Sequence, residues 1–297
     1  MMALAFQKLM ERPTIIKGSK QTKNHSYTCS IDTINRRLII HRYWWKDVAP
    51  FVAELFDLCR NHEFGKLIVQ AREQDWQSFL KLGFVMEGTI PSFFQGEPVY
   101  YMSKFFDAKR QLSRHWQEEE EILEKVILHK QPAKRRELPP DLTLEVGTEK
   151  HVPELVRLFA RVFDTYPSPL TDPEYLAKSM QNDIFVLIRD GKKRIVSAAG
   201  AEIDRMAGNA EMTNCATLPE YRGYGLMSHL FVKLEEELAS QQIRSLFSIA
   251  RAKSFGMNRV LHEMGYTYRG RLINNCDICG GLEDMNLWAK GGAASCS

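Results

Sequence analysis

The sequence lacks any apolar run approaching the ~20 residues that a membrane-spanning helix requires. Its first six residues are mostly apolar, but charged residues follow at once, so we expect no signal peptide. Net charge is also low, +3 in 297 residues, which gives no argument for binding nucleic acid. These absences predict a cytoplasmic protein with neither a membrane nor a nucleic acid among its partners.

Cysteine is scarce, and only Cys276 and Cys279 of the six form a close pair. Zinc would need two further ligands at suitable spacing, and the sequence has no second pair to supply them. A redox pair usually opens a helix, whereas this pair is followed by Gly280 and Gly281. The pattern favours two unrelated thiols, and we predict no metal site.

What is present is typical of a folded protein: 44% of residues are hydrophobic and 26% are charged. The length suffices for two modest domains. A charged helical segment, a basic cluster (Lys134 to Arg136) and several prolines interrupt the pattern near the middle. We therefore expect a first domain at 1–112, a charged helix with a proline-containing linker at 113–140, and a second domain at 141–297.

Hydrophobic periodicity in the second half alternates between strands and helices, which predicts a mixed α/β fold. Residues 1 to about 30 are weakly patterned, and we expect a loose lead-in with one strand at most. The later elements are strands at 142–146, 184–188, 195–203, 211–217, 245–251, 268–273 and 285–288, and helices at 149–163, 171 onward, 228–240 and 256–264.

The turn from Leu218 to Met227 joins a strand to a helix and carries Gly223 and Gly225. Backbone N–H groups at such a helix start can bind a pyrophosphate, and Arg222 adds a planar positive charge. A Gly-x-Gly turn alone is a weak signal, because a plain strand-to-helix turn also uses glycine. This turn lacks the Gly-Lys-Ser/Thr ending of a Walker A loop and the third glycine of the dinucleotide fingerprint.

The run Arg222, Gly223, Tyr224, Gly225 and Leu226 resembles the acetyl-CoA pyrophosphate loop of the GCN5-related N-acetyltransferases (GNAT). It departs at Met227, where that family usually has Gly or Ala. The order of elements from 142 to about 290 is also similar. The resemblance implies the GNAT acyl-CoA N-acyltransferase fold, a central mixed sheet flanked by helices, with acetyl-CoA as co-substrate. It further implies that Cys215, Ala216 and Thr217 pair their backbone with the pantetheine arm.

Short segments in the two halves of the chain are similar in sequence. Residues 67–72 match 246–251, and residues 79–84 match 261–266. The first half has no counterpart of the glycine turn, so we expect a degenerate GNAT-like domain that holds no cofactor. It would serve as a support, a lid or an oligomer surface, the last in a homodimer. Chance similarity of short units is the alternative.

Acetyl transfer requires a deprotonated amine, whose pKa is near 10.4 when it is free. Glu202, on an otherwise apolar strand, is the first candidate for the base, and Glu211 is the second; a surface role is the alternative. Family members often carry a tyrosine as the acid for the thiolate, at the position of Leu261 here. Tyr266, Tyr268 or a water could replace it, or the good thiol leaving group needs no acid.

Four late segments, 254–258, 264–266, 272–275 and 285–288, resemble the β-lysine N-acetyltransferases, and the sequence departs from their pattern at Cys276 and Cys279. That resemblance implies acetylation of the terminal amine of β-lysine to give a neutral osmolyte, beside a lysine aminomutase. The candidates for holding the amino-acid end are Asn258, Asn274, Asn275, Asn286 and Arg251; Arg251 could bind a CoA phosphate instead. Ordinary capping and turn asparagines are the alternative. Another amine, such as a protein lysine, and a non-catalytic acyl-CoA module also stay open.

Overall fold

The computed structural model describes residues 15–129, 137–163, 166 and 168–291. The basic cluster Lys134 to Arg136, Cys296 and the first half of the expected lead-in lie outside the described residues. The chain forms two compact units. The first comprises Met1–Thr89, Pro98–Arg114 and Arg271–Asp284; the second comprises Ile90–Glu97, His115–Gly270 and Met285–Ser297. The expected bounds differ from these units, because they assign 90–97 to the first domain and 271–284 to the second.

The first unit is a mostly antiparallel sheet in the order β1-β2-β3-β4-β6-β5, in which only β3 and β4 are parallel among the paired neighbours described. Its elements are β1 (Ile15–Gln21), β2 (His25–Asp32), β3 (Arg37–Trp45), α1 (Val48–Asn61), β4 (Lys66–Ala71), α2 (Trp76–Lys81), β5 (Val85–Ser92), β6 (Gly96–Phe105) and α3 (Ala108–Gln111). Helix α1 begins where the Asp47 side chain accepts the Ala49 N–H, and it buries Phe51, Val52 and Leu55 against the sheet.

The expectation of a loose lead-in before residue 30 is wrong, since β1 and β2 form an antiparallel hairpin there. Strand β2 places Tyr27, Cys29 and Ile31 in the core of the first unit. Strand β1 alternates between exposed and half-buried residues, as an edge strand does. Its polar sequence therefore carries little hydrophobic signal.

The second unit is a mixed sheet in the order β13-β11-β10-β9-β8-β7, with helices packed against it. Strands β10 and β11 are parallel, whereas the other described pairs are antiparallel. Its elements are α4 (Trp116–Ile127), β7 (Thr143–Val146), α5 (Val152–Val162), α6 (Pro173–Ser179), β8 (Ile184–Arg189), β9 (Ile195–Asp204), β10 (Asn209–Thr217), α7 (Leu226–Ser240), β11 (Ser245–Arg251), α8 (Phe255–Glu263) and the outer parts of β12 (Thr267–Ile278) and β13 (Gly281–Lys290).

Apolar faces of α5 and α7 build the core of the second unit. Leu158 and Phe159 come from α5, and Phe231 and Leu234 come from α7, all almost inaccessible to solvent. Burying each such side chain contributes about 1.5–3 kcal/mol. Helix α4, expected as part of a connector, also belongs to this core: it packs against α8 and buries Leu123. In the described part of the chain, no helix is long and apolar enough to cross a membrane.

Candidate active site

The site lies where β10 and β11 separate. Their parallel pairing runs from Asn209 to Glu211 on β10 and from Ser245 to Phe247 on β11. At the point of separation the Ser248 hydroxyl donates to the Met212 carbonyl at 2.7 Å. Beyond it, β10 continues to Thr217 and stays paired with β9 on its other side. The edge of β10 that faces away from β9 can therefore accept another extended chain, as sheet edges do.

A β-bulge lies in β10 at this separation. The register with β9 shifts between Thr213 and Ala216, and Asn214 adopts a left-handed backbone with φ of 55°. The Tyr166 hydroxyl accepts the Asn214 backbone N–H at 3.2 Å, and the Tyr166 ring packs against Phe163 at a tilt, with ring centroids 4.4 Å apart. A bulge bends its strand and re-aims the side chains near it.

The glycine turn follows β10 directly. Both glycines have left-handed backbones, with φ of 85° at Gly223 and 75° at Gly225, and α7 begins at Leu226. A Cβ added to Gly223 would meet nothing within 4 Å, so glycine is required there for its backbone angles rather than for space. The first amides of a helix have no carbonyl partner within that helix, so Leu226 and Met227 present N–H groups at a positive helix end. Leu226 is buried, and Met227 is half-buried.

Asp190 stabilises the segment before the turn through hydrogen bonds. It accepts hydrogen bonds from the Tyr221 hydroxyl at 3.1 Å and from Arg194 Nε at 2.8 Å. Burial acts to raise the pKa of Asp190, but the bonds from Arg194 and Tyr221 outweigh it and hold that pKa at about 2. Arg222, the cation expected at the phosphates, is exposed, and its Nε lies 3.4 Å from the Thr217 carbonyl. The predicted cofactor residues 215–217 and 222–227 thus form one continuous path along β10 and into α7.

The two candidate bases lie directly opposite each other. Glu202 on β9 pairs with Glu211 on β10, so both side chains stand on the same face of the sheet, and both are half-buried. Burial is the main cause that raises the pKa of Tyr166, and these two carboxylates raise it further, so the phenol lies near both. A pair of carboxylates beside phenol groups suits a cationic ligand such as an alkylammonium ion.

The Cys215 side chain lies in the same region. Burial raises the pKa of its thiol to about 12, with Glu211 as a second cause. The thiol therefore stays protonated at neutral pH, which does not suit a nucleophile. The protonation of the thiol does not affect the predicted pairing of the Cys215 backbone with the pantetheine arm.

Tyr266, the candidate acid, is 2% exposed and packs edge-on against Phe231 of α7. Burial raises the pKa of Tyr266 well above its ordinary value of 10, and Glu235 and then Cys215 raise it further. Lys290 lies 5.5 Å from the Tyr266 ring centre and pairs with Glu235 at 2.7 Å. Tyr266 is therefore protonated at neutral pH and lies near Cys215 of β10. Leu261, at the position of the usual tyrosine, is buried in the core.

Asn258 is a structural residue inside the second unit. Its Nδ2 donates to the carbonyls of Arg251 and Ser254 at 2.9 and 2.8 Å. Its Oδ1 accepts from Asn286 Nδ2 at 3.0 Å and from Trp288 Nε1 at 2.8 Å. The side chain is completely buried, and these four bonds use its full hydrogen-bonding capacity. These contacts leave Asn258 no hydrogen-bonding atom for a substrate, and the substrate role of Asn286 stays a prediction.

The remaining candidates are spread over both units. Asn274 belongs to the first unit, where its Nδ2 donates to the carbonyls of Arg110 and Leu112, each at 2.9 Å. Asn275 also belongs there, and Lys66 Nζ approaches its Oδ1 at 3.4 Å. Arg251 lies at the exposed end of β11, in the second unit. The structure therefore brings the acidic pair together with the cofactor path in the second unit, whereas the four asparagines are divided between the two units.

Two residues at the bulge were missed by the sequence reasoning, namely Tyr166 and Asn214. Asparagine is disfavoured inside strands and favoured where φ is positive, so Asn214 within a strand-like run was the available signal. Tyr166 had no local signal beyond its position after a helix. Among the described residues, no group of three or more His, Cys, Asp or Glu side chains could hold a metal ion.

The chain is similar in sequence to known proteins over most of its length. The family described as "Acetyltransferase (GNAT) family" matches residues 152–266. A Bacillus subtilis protein named N-acetyltransferase YodP is 37% identical over 274 residues, which cover 91% of this chain and 98% of the relative. A Methanococcus maripaludis protein named beta-lysine N(6)-acetyltransferase is 32% identical over 261 residues, which cover 88% of this chain and 94% of the relative. Among solved structures, the ribosomal-protein-S5-alanine acetyltransferase from Vibrio fischeri has a TM-score of 0.46 and 14% identity, and the match covers 54% of this chain and 98% of that one.

The chain therefore belongs to the GNAT family of acetyltransferases, and it is an N-acetyltransferase. The resemblance drawn from Arg222 to Leu226 and the predicted fold class are both confirmed. Acetyl-CoA is the acetyl donor of GNAT enzymes.

Proposed function

We propose that the protein acetylates the terminal amine of a small diamino acid, with β-lysine as the substrate and N6-acetyl-β-lysine, a neutral osmolyte, as the product. The choice of a cationic amine as substrate rests on one observation. Glu202 and Glu211 lie opposite each other beside the β10 bulge. The choice of β-lysine within that class is supported by the similarity to the relative named beta-lysine N(6)-acetyltransferase.

We assign the cofactor to the path along β10 and into α7. The amides of residues 223–227 would hold the diphosphate at the start of α7, with the Arg222 guanidinium beside it. The backbone of Cys215, Ala216 and Thr217 would pair with the pantetheine arm along the edge that β11 has left. Acetyl-CoA supplies an acetyl thioester when it is bound there.

We assign the two proton transfers of the reaction to side chains of the protein. Glu202 takes a proton from the substrate ammonium group, whose pKa near 10.4 keeps it charged at neutral pH. Glu211, directly across the strand pair, helps to hold the cation. Tyr266 keeps its proton because its pKa is raised, and it is our candidate to return a proton to the sulfur.

A thiol-release assay over a panel of amines tests the proposal. The panel contains β-lysine, α-lysine, ornithine, a simple diamine and a lysine-containing peptide, each with acetyl-CoA in excess. We expect the highest kcat/KM with β-lysine and, for Glu202→Gln, a loss of about 10²–10⁴-fold, as is typical of a lost general base. Preference for the peptide would contradict the small-molecule proposal, and full activity in Glu202→Gln would remove Glu202 as the base.

The predicted cytoplasmic location and homodimer stay predictions. Cell fractionation checks the first, and sedimentation of the purified protein checks the second.

A further inference from the structure

Asn214 carries a buried polar atom that the fold itself does not use. The residue is 2% exposed, and its Nδ2 lies 3.5 Å from Glu202 Oε1. Within the described part of the chain, its Oδ1 is buried and has no hydrogen-bond partner. An unpaired buried oxygen lowers stability, and native structures rarely keep one without a use.

The backbone favours asparagine at this position but does not require it. Its φ of 55° is left-handed, which glycine adopts at less cost than any other residue. The bulge is held through the backbone N–H, which donates to the Tyr166 hydroxyl, and any residue except proline has that group. The side-chain amide is therefore the part of Asn214 that still needs an explanation.

The surroundings of this amide are those of the acidic pair. Gly200 pairs with Thr213 across the strands, and a Cβ on Gly200 would come within 3.3 Å of Asn214 Nδ2. Gly200 is two residues from Glu202 on the same strand, so both positions share one face. The Asn214 amide thus lies on the face that carries Glu202 and Glu211, beside the separation of β10 and β11.

We propose that Asn214 Oδ1 binds the substrate's primary ammonium group together with Glu202 and Glu211. A primary ammonium has three N–H donors, and the two carboxylates and the amide oxygen supply three acceptors. The amide oxygen adds the third acceptor without adding a third negative charge to a half-buried site. It also holds the nitrogen in place once Glu202 has removed a proton. The proposal rests on the proposed function, because it requires an amine substrate.

Discrimination between a primary amine and its N-methyl derivative tests this role. An N-methylated terminal amine keeps only two N–H donors when charged, so the wild-type protein should prefer the primary amine. We expect Asn214→Gly, which suits the left-handed backbone, to lower kcat/KM for the primary amine about 10- to 100-fold, as for a lost hydrogen bond to a charged group. The same variant should lose most of its preference over the N-methyl amine, while its KM for acetyl-CoA stays unchanged.

Asn214→Asp is the matched variant, since it keeps an oxygen at this position and also tolerates the backbone. We expect it to retain the preference for the primary amine, even if its rate falls because a third carboxylate is now present. Thermal unfolding of both variants checks that they fold.

The outcomes separate this inference from the proposed function. Equal losses with both amines in Asn214→Gly, or an unchanged preference, would overturn the role of Oδ1 and leave the acetyltransferase assignment to small amines intact. No turnover of any primary amine by the wild-type protein would overturn both.

Discussion

Replacing Asn258 by alanine should weaken the fold and leave substrate binding unchanged. The substitution removes the only described acceptor of the Trp288 Nε1–H and an acceptor of Asn286 Nδ2–H, both inside the core. The carbonyls of Arg251 and Ser254 lose one donor each but keep another, because they also accept backbone N–H groups of α8 and its cap.

The magnitude follows from the Trp288 Nε1–H, which loses its described acceptor. A buried donor left without a partner costs about 1–3 kcal/mol, so Asn258→Ala should lower the free energy of unfolding by about that amount. That is a large share of the roughly 5–15 kcal/mol typical of a folded protein. At about 2–4 °C per kcal/mol for a large domain, Tm should fall by roughly 2–12 °C.

Urea unfolding followed by tryptophan fluorescence measures the loss, and steady-state kinetics on folded protein measures KM for the amine. Asn182→Ala is the matched control, since Asn182 is an exposed residue of the same unit and its loss should change stability by less than about 0.5 kcal/mol. Unchanged stability in Asn258→Ala together with a raised KM for the amine would refute the structural role and restore Asn258 as a substrate-binding residue.

Three further predictions concern the turn, its anchor and the first unit. Arg222→Glu should weaken acetyl-CoA binding about 10- to 100-fold by calorimetry, without lowering Tm, because Arg222 is exposed; unchanged affinity would mean that the turn does not hold the diphosphate. The pKa of Asp190 is held at about 2, below its ordinary value of 3.8, so its stabilising effect is complete above pH 3.8 and is lost as pH falls through 2. The stability difference between wild type and Asp190→Asn should therefore shrink over that interval in acid-unfolding curves, and a constant difference would contradict the assignment. Lys66→Met should cost about 3–5 kcal/mol in urea unfolding, because it leaves Glu87 buried without the ammonium group now 2.7 Å away; a loss under about 1 kcal/mol would show that the pair adds little.

The parts of the site that depend on neighbouring residues could be predicted from the sequence. The turn from Leu218 to Met227 is encoded locally, because Gly223 and Gly225 supply the left-handed angles and the next residues form a helix. The strands and helices of the second half likewise follow from their own periodicity.

The parts that depend on distant contacts could not be predicted. Glu202 and Glu211 face each other only through the register of β9 and β10, and the bulge at Asn214 shifts that register. A sequence also does not show that Asn258 is hydrogen-bonded to Trp288, thirty residues later, with both side chains buried.

The division into domains was also hard to predict. The segment 271–284 lies within the second half of the chain, but it belongs to the first unit. There Lys66 Nζ donates to the Ile273 carbonyl at 2.8 Å, and the Ile273 N–H donates to Glu87 at 2.7 Å. Buried polar contacts of this kind join residues about 200 positions apart, and no local pattern indicates them.

A crystal structure of the protein with CoA is the most direct test of where the cofactor binds. Diphosphate oxygens should lie about 2.7–3.2 Å from backbone nitrogens of residues 223–227, with the pantetheine arm along Cys215 to Thr217 and the thiol beside the bulge. CoA bound at any other place, with the edge of β10 closed by the protein's own side chains, would contradict the assignment of the site.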